Sequence, residues 1–65
     1  MKPRDVVLAA IAGNGNAAQR ISNWLRFSLG MNNAQSFDYF KRVKPDLTEP
    51  EFDEVMQLAD AECSQ

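Results

Sequence analysis

Apolar residues along this chain recur at spacings of three and four, and no segment alternates with a two-residue period. The pattern predicts four short helices and no sheet. In the first, from Pro3 to about Ala12, Val7, Leu8 and Ile11 fall at i, i+1 and i+4 and make one stripe. Proline suits a first helical turn, where its missing N–H would be unpaired anyway, and Asp5 complements the positive end of the dipole. Gly13-Asn14-Gly15-Asn16 breaks the pattern, with Asn16 placed to cap the next helix.

The second helix, about Ala17 to Leu29, stops at Gly30, a natural left-handed terminator. Ala18, Ile21, Leu25 and Leu29 form its stripe. With Trp24 and Phe27 further round, the apolar arc covers roughly 200°, about twice what a surface helix needs. Such a helix is either central and contacted from two sides, or it carries an intermolecular face. Asn32 or Asn33 caps a third helix, about Ala34 to Val43, with Phe37, Phe40 and Val43 facing inward and Tyr39 pointing away. Lys44-Pro45 ends it, because a residue before proline avoids the helical region.

Thr48-Glu49-Pro50-Glu51 has the capping-box pattern and opens a fourth helix, about Glu49 to Glu62. Its stripe is Phe52, Val55, Met56, Ala59 and Cys63. Asp60 and Glu62 oppose the dipole at its far end, which calls for a basic neighbour or a frayed terminus. The expected fold is an all-α bundle of four short helices, one small domain of 65 residues. Its core is expected around Ile11, Ile21, Leu25, Phe37, Phe40, Val55 and Met56.

Size sharpens this picture. A chain this short buries roughly 60% of the surface its unfolded form exposes, so helix packing or self-association must supply stability. Cys63 is the single cysteine, which excludes an intrachain disulfide and fits a reducing compartment; its plainest role is as a small apolar residue on a helix face. Histidine is absent, so a Cys/His zinc site is excluded. The apolar run Val6–Ala12 is short for a signal peptide and follows Asp5, and no run approaches the ~20 residues of a membrane span. The expectation is a cytoplasmic protein that does not enter membranes.

Charge is segregated. Residues 1–45 hold seven cations against Asp5 and Asp38, a net of +5, whereas residues 46–65 hold seven acids and no cation, a net of −7. The overall −2 therefore hides a basic body and an acidic end, an asymmetry that bears on partners. Catalytic chemistry has no foothold. Without histidine the serines lack a base, the carboxylates crowd onto one amphipathic helix, and their spacing does not form a calcium loop. The expectation is a non-enzyme with no cofactor, no metal and no small-molecule substrate.

The basic body is more informative. After Gly30 comes a short polar turn and a helix with inward aromatics. Its first turn carries Asn32, Asn33, Gln35 and Ser36, and its end carries Lys41, Arg42 and Lys44. Asparagine and glutamine pair bidentately with adenine edges, while lysine and arginine neutralise phosphates. Residues 17–43 resemble the turn and recognition helix of the short helix-turn-helix regulators common in phages and plasmids. Arg26 stands where that family has a small residue four positions before the glycine. Ser36 stands at its inward position, with Phe37 one place late. The resemblance implies a dimeric DNA-binding transcription regulator that uses those seven residues. The competing expectation is a protein-interaction module or inhibitor, anchored by Trp24, Phe27, Met31 and Tyr39 or by the acidic fourth helix.

Overall fold

The structure is a computed structural model that describes residues 2–63, with side chains through Glu62. Four helices run in chain order: α1 (Pro3–Ile11), α2 (Gly15–Asn23, continued by a wider π turn, Trp24–Ser28), α3 (Asn33–Val43) and α4 (Glu49–Cys63). No strand occurs among the described residues. The all-α expectation therefore holds, and none of these helices is long and apolar enough to cross a membrane.

Local chemistry sets each boundary. α1 closes on a double hydrogen bond: Gly13 donates to the Ala10 carbonyl (3.1 Å) and Asn14 to Ala9 (3.0 Å), with Gly13 at φ 103°. This is the glycine-terminated ending that satisfies two orphan carbonyls. Asn14 then turns at once to cap α2, its Oδ1 accepting from the Ala17 N–H at 3.1 Å. The expected cap, Asn16, instead lies within the first turn, because α2 starts at Gly15, two residues before the expected Ala17.

α1 buries Val6, Val7 and Ala10, whereas Leu8 is 41% exposed and Ile11 is half-buried. The sequence holds two overlapping i, i+1, i+4 triplets about 100° apart. The fold selects the one that contains Ala10. Small Ala10 and Ala18, both fully buried, permit a close approach of α1 to α2.

α2 is the central element and packs chiefly on α4 and α1. Ala18, Ile21 and Leu25 are buried as the stripe requires, but Leu29 is 45% exposed. The π turn explains the loss. Leu29 donates to the Trp24 carbonyl five residues back (3.1 Å), and Met31 to Leu25 six residues back (2.9 Å). A turn closed over five residues no longer stacks residues four apart, so Leu29 slips off the stripe. Gly30 at φ 63° then reverses the chain.

The core comprises Val6, Val7, Ala10, Ala18, Ile21, Leu25, Phe40, Leu47, Phe52, Val55 and Ala59. Ile11, Phe37 and Met56, expected at its centre, are half-buried around it. Phe52 of α4 stacks on Phe37 (centroids 5.1 Å apart, 29° between planes) and meets Phe40 edge-on (5.2 Å, 84°). Such pairs are worth about 0.5–1.5 kcal/mol beyond their burial. At the other end of α4, the Glu62 carboxylate lies against the start of α2, 2.6 Å from where a Cβ on Gly15 would sit. It opposes its own helix dipole but complements the positive end of α2. The proposed apolar role of Cys63 lies outside the described side chains.

Candidate nucleic-acid interface

α3 is built to start sharply. The Asn32 Oδ1 accepts from the Gln35 N–H at 2.9 Å, and the Gln35 Oε1 accepts from the Asn32 N–H at 3.0 Å. This reciprocal capping box satisfies two amides that the first turn leaves open. It also commits one acceptor of each side chain. What Asn32 and Gln35 retain toward solvent is their amide NH₂ donors. Asn33, the first helical residue, is exposed.

Ser36 departs from the expectation. It is 3% exposed, so it reaches no base edge. It lies four residues before fully buried Phe40, on the core-facing side of α3, where a short side chain fits. Tyr39 also departs from the outward orientation expected of it. It is half-buried, and its ring meets Trp24 edge-on at 5.9 Å with 71° between planes. The two aromatics couple α3 to the C-terminal end of α2. Met31 packs partly against the core, while Phe27 stands 82% exposed. Of the four proposed protein anchors, Phe27 alone is fully presented to solvent.

The cations differ in their ties. The Lys41 ammonium is 3.6 Å from Asp38 on the same helix and 4.5 Å from the centroid of the Phe37 ring. The Lys44 ammonium is 3.7 Å from Glu51 at the start of α4. Arg42 has no ion-pair or hydrogen-bond partner among the described residues. With Met31, Gln35, Asp38 and Tyr39 it lines a shallow hollow of ≈ 200 Å³ on the outer side of α3. α4 does not lie across this surface. It meets α3 near its own start, through Phe52 on Phe37 and Phe40, and Glu51 pairs with Lys44 just past the end of α3.

Glu51 is the acid most constrained by this junction. Its carboxyl is held below the usual glutamate range, first by the Thr48 N–H, then by the Thr48 hydroxyl and the Lys44 charge. The Thr48 N–H and hydroxyl donate to Glu51 Oε1 at 3.1 and 2.8 Å, and the Glu51 N–H donates back to the hydroxyl at 3.4 Å. The capping box expected here forms in both directions.

Arg20 is a candidate that was not among the expected DNA contacts. It lies exposed on α2 and, with Pro3, Val6, Ile21 and Trp24, borders a second hollow of ≈ 250 Å³. Trp24 lines this hollow and contacts Tyr39, which lines the first, so the ring pair lies between the two hollows. A signal was present: no carboxylate occurs from Val6 to Phe37. Among the described residues no cluster of three or more His, Cys, Asp or Glu is placed to hold a metal ion. Compared with protein-family models, curated proteins and solved structures, the chain has no match.

Proposed function

We propose that this chain is a small helix-turn-helix-like DNA-binding regulator that presents the outer side of α3 to the duplex. The observation that carries the reading is the uncovered surface holding Gln35 and Arg42, with the acidic helix packed chiefly on α2. In this reading Arg42 neutralises a phosphate outright. Lys41 and Lys44 exchange their exposed carboxylate partners for phosphates, at little cost because surface ion pairs are worth about 0–1 kcal/mol. The free amide donors of Gln35 face base edges. Asp38 and the net charge of −2 keep the affinity of one copy low, so a dimer or larger assembly supplies the rest.

The test is a titration of fluorescent duplex DNA at several salt concentrations. Binding through these three cations gives a log–log slope of about −3, from roughly −0.9 per phosphate neutralised. Absence of binding at low salt, or an affinity indifferent to salt, removes the proposal. The second reading, a protein-interaction module or inhibitor, is favoured by the exposed ring of Phe27.

A further inference from the structure

Asn16, Arg20 and Asn23, at i, i+4 and i+7, make an exposed row on the outer side of α2, and exposed Phe27 follows them in the widened turn. The ring of Phe27 stands in solvent past the end of this row, and half-exposed Leu29 lies two residues on. Neither residue has a part in the core or in the DNA reading. The flanking charges Arg20 and Arg26 are positive, within a stretch that holds no carboxylate.

A complementary surface exists on α4. Glu54, Gln57, Leu58 and Ala61, at i, i+3, i+4 and i+7, line a shallow, wide-open groove along one side of this single helix. Leu58 and Ala61 give it an apolar floor, and Glu54 gives it a negative wall. No cation follows Lys44 anywhere in the sequence. Phe27 does not reach this groove in its own chain. Arg26, beside Phe27, approaches Met56 Sδ at 3.9 Å, and Met56 lies about 200° round α4 from Leu58.

We propose that Phe27 of one copy seats in the α4 groove of a second copy, over Leu58 and Ala61, with the arginines beside it facing Glu54. The apolar floor of the groove and the opposite charges of the two surfaces favour this occupant. Because the surfaces differ, the contact is heterologous. Each copy offers one knob and one groove, so assembly continues head to tail or closes into a ring rather than ending in a two-fold dimer. This proposal stands whether or not the chain binds DNA.

Two variants at exposed positions test it: Phe27→Ala removes the knob and Ala61→Arg blocks the groove. Circular dichroism checks that each keeps its helices. By sedimentation velocity the unmodified protein should show a mean mass above one chain that rises with concentration. Each variant alone should stay at one chain. An equimolar mixture should reach two chains and stop, since it contains one intact knob and one intact groove. A wild-type chain that stays monomeric at every concentration overturns the proposal. So does an Ala61→Arg protein that associates like wild type, because Phe27 would then be packing on a copy of itself or on another surface.

Discussion

The Lys44 ammonium lies 3.7 Å from the Glu51 carboxylate and ties the end of α3 to the first turn of α4. The same carboxylate accepts from the Thr48 N–H and hydroxyl, so one ionised group serves both the cap and the bridge. The folded state therefore holds Glu51 ionised more strongly than the unfolded chain does. A depressed carboxyl contributes stability that is present above its unfolded value and is lost as pH falls through the folded one. The expected outcome is a urea midpoint that declines as pH drops below the ordinary glutamate range. Glu51→Gln should decline less over that interval, because its side chain no longer titrates. Parallel pH profiles for the two proteins would refute this account of the junction.

Asn32 and Gln35 share a cap, and the cap allows structure to be separated from recognition. Asn32→Ala should cost about 1 kcal/mol in chemical denaturation, the usual penalty for losing such a residue. Gln35→Glu should cost little, since a glutamate at this position forms the same reciprocal bond and favours the positive end of the helix. On DNA the order reverses. Gln35→Glu replaces an amide donor with a charge that phosphates repel and should lower affinity more than Asn32→Ala does. Equal loss of stability in both variants would mean that the box is not what holds α3.

Much of the fold was legible because it rests on local rules. Glycine ends α2, the Thr48 box opens α4, and Phe52, Val55 and Ala59 lie on the buried side as three- and four-residue spacing demands. What was not legible depends on choices between near-equal local options. Val6-Val7-Leu8 supports two stripes, and the one containing Ala10 wins only once α2 is in place. Leu29 leaves its stripe because the last turn of α2 widens, and no residue type announces a π turn. Tyr39 faces Trp24 for a tertiary reason, the approach of α3 to the end of α2. In the candidate site, Arg42 and Gln35 lie together on the uncovered side of α3, whereas Asn33, exposed as expected, borders the junction with α4 beside Glu49 and Asp53. Ser36 does not lie on the uncovered side, because the polarity of a serine says little about its direction on a helix packed by aromatics.

The widened turn has a measurable signature. Leu25 is fully buried and Leu29 is not, although they are the same residue type four positions apart on one helix. Leu25→Ala should cost about 2–5 kcal/mol, enough to unfold much of so small a domain. Leu29→Ala should fall within about 0.5 kcal/mol of the unmodified chain. Thermal or urea denaturation followed by the helical circular dichroism signal distinguishes the two. Comparable costs would mean that α2 continues as a regular α-helix and that Leu29 belongs to the core.

Arg42 and Lys41 are neighbours with the same charge but different obligations. The Lys41 ammonium is occupied by Asp38 and lies over the Phe37 ring, whereas the Arg42 guanidinium is open to solvent beside Gln35. If α3 meets a duplex, Arg42 gives up no internal partner on binding and contributes the larger share. Arg42→Ala should reduce the magnitude of the salt slope by about one unit and weaken binding to all sequences alike, while leaving the denaturation midpoint unchanged. Lys41→Ala should change the slope less and the midpoint slightly more, because it discards the contact with Phe37. The measurement is the same salt-dependent titration, run on both variants beside a denaturation curve. If Lys41→Ala proves the more damaging on DNA, Arg42 does not face the phosphates and the docking surface must be turned toward α4.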